Sequence, residues 1–563
     1  MKKLVVESLK KILKGKKINL KDNEIFNLIE IPPSIEMGDY SFPCFSLASK
    51  LKKNPYQIAL ELKEKIGSKN NFKDVQVSGG YINFFIDRKK FANNLISEIL
   101  RKKKNFGKPA KSKKEKIIIE FSQPNTHKAF HVGHIRGTSL GESVSRILEF
   151  CGNKVVRVNY SGDTGMHVAK WIWCYKKYHS KEKLRNDESW ISGIYVDAVK
   201  RLGENEDLQK EVDEINKKLE SKKDKKLNDL WKKTRKISID SWKKIYKELN
   251  TKFDSYFFES EVEKGAKEIS HELLKKGIAI KDDGAVIMNL KEYNLGVWIL
   301  LRSDGTVLYS AKDLALAKKK IKKYNANEYL IFVAEEQNLH FQQLLKTLEL
   351  MGIKKKYSFA TFGMVRLPEG KMSSRTGDNI LYSNFMKEIT DYAKDEIKKR
   401  GEKIPRKELE KRALIISIAA IKYSMLKQSA NKNIIFDKTE ALNFEGDTGA
   451  YILYSYARAK SIIIKIKSKK NKTDFGNLED KEINLIKIIS QFPEVVSDSR
   501  KNVNPSTIAN YTYHLAQKFN EFYHACPVIN SEKESLRVAL VKSFIQVMEN
   551  SMNLLGIKYL ERM

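Results

Sequence analysis

Cysteine is scarce in this 563-residue chain, which has four, at positions 44, 151, 174 and 526. They lie far apart and form no CxxC pair, so they indicate neither a zinc ribbon nor a disulfide framework, and they fit a reducing compartment. Long apolar runs are also missing. The start, MKKLVVESLKKILKGKK, lacks the apolar core of a signal peptide, and no later run reaches membrane-spanning length. We therefore expect a cytoplasmic protein with no membrane partner.

Acidic residues are outnumbered. Lysine and arginine total 106 against 70 aspartates and glutamates, which gives a net charge of +36. An excess of this size suggests a polyanionic partner, and nucleic acid is the first candidate. The alternative is a lysine-rich genome that places lysine on every solvated face, which the abundance of Ile, Asn and Lys also fits. Charge alone does not choose between the two.

The chain is too long for one hydrophobic core, and about three domains are expected. Two charged linkers, RKKKNFGKPAKSKKEK (101–116) and KKRGEKIPRKE (398–408), suggest where to divide it. We predict an N-terminal α+β module over 1–110, a catalytic domain over 111–397, and a C-terminal all-α bundle over 398–563. The last assignment rests on amphipathic helical spacing in segments such as ALIISIAAIKYSMLKQ.

The middle region alternates strand and helix patterns. IIIEF reads as a strand, HVGHIRGTSLGESVSRILEFCG as a helix and KVVRVNY as a second strand, and EYLIFVAEE followed by QNLHFQQLLKTLELMG repeats the order. This βαβ pattern predicts an α/β domain with a Rossmann-type parallel sheet. A highly charged helical stretch, about 176–275, reads as an insertion into it.

The stretch FSQPNTHKAFHVGHIRGTSLGES (121–143) holds His127, His131 and His134, three of nine histidines. His131 and His134 share a face at a helix start, where free N–H groups and the helix dipole favour phosphate. Gly133 lets a flat base or ribose approach the backbone. These features predict a nucleotide site at the carboxyl end of a strand. Zinc and purely structural histidines are the alternatives, but no nearby cysteine completes a zinc set, and we expect no structural metal.

A second motif, GMVRLPEGKMSSRTGD (363–378), predicts a loop able to close over a polyphosphate. HVGH and KMSSR together match the two signatures of class I aminoacyl-tRNA synthetases. The longer pattern PNxxKxxHVGHxR (124–136) resembles the arginyl-tRNA synthetases, and so do VNYSGDTG (158–165), YSAKD (309–313), EEQNLHFQQL (335–344) and FEGDTGAYILY (444–454). The resemblance runs from about residue 30 to the last residue.

The resemblance implies ATP-dependent ligation of L-arginine to tRNA(Arg) through an arginyl-adenylate, in protein synthesis, with Mg²⁺ accompanying ATP. Such an enzyme needs no covalent intermediate, so it works by positioning and charge stabilisation. The family leans to monomers. The resemblance also assigns catalytic roles to His131, His134, Lys128 and Lys371, and ATP contacts to His131, Gly133, His134, Lys371, Met372, Ser373, Ser374 and Arg375. Ser374 stands where the class I loop carries lysine, and Lys128 matches the lysine thought to compensate.

A pocket for arginine has to supply carboxylate, because a guanidinium has five donors in a planar fork and keeps its charge. Tyr309 and Asp313, four apart, share a helix face, and the resemblance puts them beside the guanidinium with Glu120 close by. Asn125 and Gln337 match residues that hold the amino-acid backbone end. The full set of expected arginine contacts is Glu120, Gln123, Pro124, Asn125, His134, Tyr309, Asp313 and Gln337.

The flanking domains resemble an anticodon-binding bundle and a module that meets the tRNA elbow. The candidate tRNA contacts are Tyr81, Asn83, Tyr423, Arg562 and Met563, with core packing the alternative for both aromatics. One rival is another class I synthetase, of glutamyl or cysteinyl type. Another is a catalytically silent, basic RNA-binding relative, although retention of HVGH, Lys128, Tyr309 and Asp313 together argues against it.

Overall fold

The computed structural model describes residues 2–16, 18–66, 72–109, 114–368, 381–399, 404–466 and 476–563. The chain forms two compact units. The first contains Met1–Phe106, Arg458–Pro493 and His514–Met548, and the second contains Gly107–Ala457, Glu494–Tyr513 and Glu549–Met563. Across the ranges described, we find no helix long and apolar enough to cross a membrane. All four cysteines are buried and unpaired.

The N-terminal region is an α+β module, as predicted. Its elements are α1 (Lys2–Gly15), α2 (Asp22–Leu28), β1 (Tyr40–Pro43), α3 (Phe45–Leu51), α4 (Pro55–Ile66), β2 (Phe72–Ser78), β3 (Tyr81–Ile86) and α5 (Arg88–Lys102). The strands form an antiparallel sheet in the order β1-β3-β2. Apolar residues that recur at helical spacing, such as Val5, Leu9, Ile58 and Leu62, pack on Phe84 in a common core.

The middle of the chain contains β4 (Lys116–Glu120), α6 (Val132–Phe150), β5 (Lys154–Ser161), α7 (Met166–Tyr178), α8 (Glu188–Glu204), α9 (Gln209–Ser221), α10 (Lys225–Glu248), β6 (Ser255–Phe258), α11 (Glu263–Lys275), β7 (Ile280–Asp282), β8 (Ala285–Asn289), β9 (Val297–Leu301), α12 (Tyr309–Tyr324), β10 (Glu328–Ala334), α13 (Asn338–Leu350), β11 (Lys356–Phe362) and β12 (Val365–Arg366). Five of these strands form a parallel sheet in the order β11-β10-β4-β5-β6. The predicted Rossmann-type sheet is confirmed.

The C-terminal region is helical, again as predicted. Its elements are α14 (Tyr382–Lys398), α15 (Arg406–Leu426), β13 (Ile434–Ile435), α16 (Lys438–Ala441), α17 (Gly449–Lys465), α18 (Asp480–Asn502), α19 (Ser506–Ala525) and α20 (Glu534–Leu554). The two-residue strand β13 pairs in parallel with β12. A segment this short leaves no mark on the hydrophobic pattern, which is why the sequence reads as all helical here.

The helices α7 to α10 lie between β5 and β6 and share their own apolar cluster, which includes Trp171, Ile191, Val212 and Leu227. This is the predicted insertion. Its helical part ends at Glu248, because the next strand, β6, pairs with β5 in the central sheet. The four residues of β6, SYFF, are too few to show an alternating pattern, which is why the predicted insertion, about 176–275, extended over them.

Helix α6 packs closely on the sheet because glycine recurs along one of its faces. A Cβ added at Gly141 would overlap the Phe121 ring, and one added at Gly137 would lie 3.0 Å from the Phe362 ring. Phe121 and Phe362 stand at the carboxyl ends of β4 and β11. The glycines therefore set how near the start of α6 comes to the strand ends.

We predict that Gly141→Ala destabilises the protein although alanine is the better helix former. The added methyl meets the root of the Phe121 ring, which has no free rotation away from it, so overpacking should lower the free energy of unfolding by about 1–3 kcal/mol. The matched control is Gly193→Ala in α8, where an added Cβ meets nothing within 4 Å and a gain of about 1 kcal/mol is expected. Melting temperatures measure both, and equal shifts would contradict the packing argument.

Candidate active site

A cavity of about 580 Å³ lies at the carboxyl edge of the five-stranded sheet. Its walls come from the ends of all five strands, including Glu120 at the end of β4, Gly162 after β5, Glu259 after β6, Gln337 after β10 and Gly363 after β11. The chain runs from β4 outward to β6 and then returns to β10 on the other side of β4. Ligands of open α/β sheets bind at such a reversal of strand order.

His131 and His134 lie at the start of α6, with His131 as the N-cap residue. The His131 backbone N–H donates to His134 Nδ1 at 3.1 Å, and the two ring centroids are 3.9 Å apart. Because Nδ1 of His134 accepts, the proton of the neutral ring is on Nε2. A Cβ at position 133 would lie 3.0 Å from the His131 ring, so Gly133 is what lets this ring fold back over the helix start.

Both imidazoles are held neutral. Burial, followed by the charge of Lys128, lowers the pKa of His131 to about 4. Burial lowers the pKa of His134 well below its ordinary value, with smaller contributions from His131 and Lys128. Within the described chain, Nδ1 of His131 is buried without a hydrogen-bond partner. A neutral ring with an unpaired nitrogen can donate a hydrogen bond to a ligand or accept one from it.

His127 does not join this pair. Its ring nitrogens form hydrogen bonds with Thr126 Oγ1 at 2.9 Å and Thr234 Oγ1 at 2.8 Å, and its backbone N–H donates to Ser238 Oγ. Both nitrogens are thus occupied by hydroxyl groups of its own loop and of α10. The zinc alternative required all three imidazoles to face one ion, and this arrangement gives it no support.

The opposite side of the cavity is acidic. Three of the four carboxylates that line the cavity contact a basic side chain: Glu120 with Lys320 Nζ at 2.6 Å, Glu259 with Lys312 Nζ at 3.1 Å, and Asp313 with His340 Nε2 at 2.6 Å. The fourth, Glu336, is exposed. This excess of carboxylates over lysines suits a cationic ligand that brings its own hydrogen-bond donors.

Two phenols complete this side. Burial raises the pKa of Tyr160 well above its ordinary value, and Asp313, Glu259 and Glu120 add to the effect. Tyr160 therefore stays protonated and can donate. Tyr309 begins α12, one turn before Asp313, and is 61% exposed with its ring centroid 4.6 Å from that of His340. The predicted pairing of a phenol and a carboxylate on one helix face is what the structure has.

Most residues expected from the sequence line one cavity. They are Glu120, Gln123, Asn125, His131, Gly133, His134, Tyr309, Asp313 and Gln337. Pro124 is buried and is not among the lining residues, so its expected contact with arginine is not reproduced. Lys128 does not line the cavity either; its Nζ lies 5.3 Å from the Tyr195 ring centroid. Lys371, Met372, Ser373, Ser374 and Arg375 lie outside the described residues.

Several lining residues were not found from the sequence. Tyr160 lies in the quoted segment VNYSGDTG and His340 in EEQNLHFQQL, so these motifs could have supplied both. Glu259 follows β6, the strand that was not recognised, and no local signal marks it. Lys320 stands two turns after Asp313 on α12 and is buried against Glu120. Its partner is 200 residues away in sequence, which no local pattern reveals.

Two residues expected to contact tRNA are buried. Asn83 lies on β3, where its side-chain oxygen accepts a hydrogen bond from Ser41. Tyr423 is fully buried in α15, and its hydroxyl donates to Asp447. Burial of both favours the packing alternative, and their contacts with tRNA stay predictions. Tyr81 at the start of β3 is partly exposed with its ring 5.4 Å from that of Phe45, and Arg562 is exposed.

Three family models match successive parts of the chain. The arginyl tRNA synthetase N terminal domain matches residues 1–86, the catalytic domain of the class I (R) tRNA synthetases matches residues 95–438, and the DALR anticodon binding domain matches residues 452–563. Together they account for nearly the whole chain, in the order that the fold displays.

Whole proteins match as well. The chain is 36% identical to the arginine–tRNA ligase of Clostridium kluyveri over 572 residues, and 36% identical to that of Clostridium acetobutylicum over 569 residues, with 100% of each chain covered. The solved structure of Thermus thermophilus arginyl-tRNA synthetase superposes with a TM-score of 0.82 at 26% identity, covering 100% of both chains.

The depressed histidine pKa values predict acid sensitivity. As pH falls below about 6.5, the ordinary histidine pKa, these histidines bind protons in the unfolded state but not in the folded state. The free energy of unfolding therefore decreases. Burial lowers the pKa of His167 to about 3, so His167→Gln should reduce the loss of stability between pH 7.5 and 5.5 by about 1 kcal/mol. Calorimetry at both pH values measures the loss. His271→Gln, at an exposed site, should leave it unchanged; an equal loss in wild type and His167→Gln would contradict the prediction.

Proposed function

The chain belongs to the arginyl-tRNA synthetases and ligates L-arginine to tRNA(Arg) with ATP during protein synthesis, and we propose how its residues divide that work. The observation that carries the proposal is a single cavity with two opposed sides. Neutral imidazoles at a helix start form one side, and carboxylates that outnumber their lysine partners form the other.

On the first side, we propose that His131 and His134 bind ATP near its α-phosphate and ribose. His134 offers Nε2–H as a donor because its Nδ1 is occupied by the His131 backbone N–H. Gly133 keeps the backbone open beside them, and the positive end of the helix dipole favours the phosphates. Lys128, whose charge acts on both imidazoles, adds a cation for the charge that develops during transfer. Lys371 and Arg375 would act from the KMSSR segment, as the family pattern implies.

On the second side, we propose that Asp313 and Tyr309 receive the guanidinium, with Glu120 and Glu259 setting the negative field around it. Asp313 is already oriented by His340, which leaves its second oxygen for a ligand. Asn125 and Gln337 line the same cavity toward the strand ends and would hold the amino and carboxylate groups of arginine. This orientation directs the arginine carboxylate toward the imidazole side.

The reaction then requires mainly that the arginine carboxylate is held beside the α-phosphate of ATP. The arginine carboxylate oxygen bonds to the α-phosphorus as pyrophosphate leaves, and a ribose hydroxyl of the terminal tRNA adenosine later bonds to the arginyl carbonyl carbon as AMP leaves. We propose that ATP enters with Mg²⁺ on its own phosphate oxygens. The fit agrees with this, because residues 131–134 carry no carboxylate and three of the cavity's four carboxylates, Glu120, Glu259 and Asp313, contact basic side chains.

The three regions receive separate roles in this proposal. Residues 1–110 would meet the tRNA elbow, with Tyr81 as a candidate for stacking on a base. Residues 111–397 would carry both chemical steps, and residues 398–563 would bind the anticodon stem, with Arg562 and Met563 as candidates at the chain's end. We propose a cytoplasmic monomer. The net charge of +36 supplies the attraction for tRNA.

His134→Ala should lower adenylate formation by about 10²–10³, the usual result of removing one transition-state donor. Pyrophosphate exchange with arginine and tRNA present measures it. His271→Ala, which removes an exposed imidazole on α11, is the matched control and should keep wild-type exchange. A folded His134→Ala enzyme with near-normal exchange would remove the signature turn from the ATP site.

Asp313→Asn should lower kcat/KM for arginine several hundredfold or more, because a buried cation that loses its carboxylate costs about 3–5 kcal/mol. ATP affinity should change little, since the nucleotide side lies across the cavity. The variant should also discriminate less between arginine and its uncharged isostere citrulline. Asp282→Asn, at an exposed position of β7, serves as control. An unchanged arginine kcat/KM in Asp313→Asn would place the guanidinium elsewhere.

A further inference from the structure

Glu188 is a buried carboxylate for which the reaction has no use. It begins α8, the second helix of the insertion, and is only 9% exposed. Its Oε1 accepts a hydrogen bond at 3.1 Å from the backbone N–H of Phe130, the residue before His131. The next residue, Ser189, shares a hydrogen bond at 3.1 Å between its hydroxyl and that of Ser383, in the first turn of α14. The start of α8 thus binds two segments, at Phe130 and Ser383, that are more than 250 residues apart.

The two segments also bind each other. The Tyr382 N–H donates to the Phe130 carbonyl at 2.9 Å, His131 and Leu381 form an antiparallel bridge, and the Phe130 and Tyr382 rings meet edge to face at 5.9 Å. The Tyr382 hydroxyl donates to Glu248 Oε2 at 2.8 Å. The start of α14 is therefore fastened to the signature turn and, through Glu248, to α10.

This arrangement controls the backbone from which the imidazoles project. The N–H and C=O of Phe130 are both fixed, the former by Glu188 and the latter by Tyr382. The next N–H, that of His131, is the donor that sets the tautomer of His134. A shift of the peptide at 130–131 would move that donor, so the direction of the His134 Nε2–H depends on the contacts one residue earlier.

We propose that Glu188 is a positioning residue for ATP, which clamps the turn at Phe130–His131 against the start of α14 and thereby aims the two signature imidazoles. This inference rests on the proposed placement of ATP at His131 and His134. It gives the helical insertion a part in catalysis, because the clamp is supplied by α8.

The clamp should respond to pH. Burial raises the pKa of Glu188 to about 7, and the carboxylates of Asp187 and Glu248 add to the shift, while the backbone N–H groups of Phe130 and Ser383 oppose it. The Tyr382 phenol also faces this group. Above pH 7 the ionised carboxylate accepts a charge-assisted hydrogen bond from the Phe130 N–H. Below pH 7 the carboxyl group is neutral, so this bond weakens.

The test compares Glu188→Gln with Glu204→Gln in the full-length enzyme. Glu204 lies at the exposed end of the same helix, with its side chain 64% exposed. Pyrophosphate exchange with tRNA(Arg) gives kcat and the KM values for ATP and arginine between pH 6 and 8.5. In Glu188→Gln the acceptor of the Phe130 N–H loses its charge, so the bond that holds the turn weakens. We expect the ATP KM to rise about tenfold or more, as for loss of a hydrogen bond to a charged group, while the arginine KM stays within about twofold.

The pH profile separates positioning from mere structure. In wild type and Glu204→Gln, kcat/KM for ATP should decrease as pH falls through about 7. In Glu188→Gln the only remaining decrease should be the one caused by protonation of ATP itself. Glu188→Asp keeps a titrating carboxyl on a shorter side chain, so it should raise the ATP KM and retain the pH response; it also serves if the glutamine variant does not fold. A wild-type ATP KM and pH profile in Glu188→Gln would overturn the inference, even if melting temperatures fall. Where the glutamine variant is unfolded, a wild-type ATP KM in Glu188→Asp would overturn it.

His134→Ala in the same assay distinguishes this failure from failure of the ATP assignment. If His134→Ala abolishes exchange and Glu188→Gln behaves as wild type, the clamp alone is wrong. If His134→Ala retains exchange, the signature turn is not the ATP site and the premise of the clamp is lost with it.

Discussion

The position at which α6 begins is the constraint on which the site depends. Its first turn carries His131, Gly133 and His134, and nothing in helix propensity alone would hold that turn at the carboxyl edge of the sheet. Further along, Glu142 on α6 binds the buried Arg157 of β5 at 2.9 Å, and Arg157 also binds Glu149 at 2.6 Å. These pairs fix the helix along its axis, while its glycine face sets its distance from Phe121 and Phe362. The positions of the two imidazoles therefore depend on packing two to four turns further along α6.

The cavity is electrostatically divided, and the division matches a substrate pair of opposite charge. On the proposed nucleotide side, burial and Lys128 keep both imidazoles uncharged, so phosphates would meet donors and a lysine without competing carboxylates in the turn itself. On the other side, Lys320 and Lys312 pair with Glu120 and Glu259, and Asp313 and Glu336 have no lysine partner among the described residues. Such a partly compensated set can select a cation, whereas fully unpaired buried carboxylates would carry a far larger desolvation penalty.

Local sequence patterns predicted the features that depend on neighbouring residues along the chain. Strand–helix alternation around 117–160 and 328–350 gave the central sheet, and signature residues such as His134 and Asp313 fell into one cavity. The prediction failed where partners are distant. β6 is four residues long and became visible only through pairing with β5, so Glu259 at its end was missed. Local patterns also do not show that Asn83 and Tyr423, whose residue types suit RNA, hydrogen-bond to Ser41 and Asp447 inside the fold. Glu188 has no sequence signature, because its hydrogen-bond partner is a backbone N–H, which every residue except proline carries.

Ser374 in place of the usual loop lysine leaves the question of which cation meets the phosphates. Lys128 is the described lysine whose charge depresses the pKa of His131, His134 and His167 alike, so it lies close to all three. Its own pKa is lowered, first by burial and then by Lys170, which means that the folded protein has already desolvated this cation. A bound polyphosphate would raise the pKa of Lys128 again, because it would place negative charge beside the lysine. The free energy needed to desolvate Lys128 is then supplied when the protein folds, not during the reaction. A charge that is fixed and desolvated in advance stabilises a transition state most. Lys128 can therefore supply from the turn that leads into α6 the charge that the family's loop lysine brings from the KMSSR position.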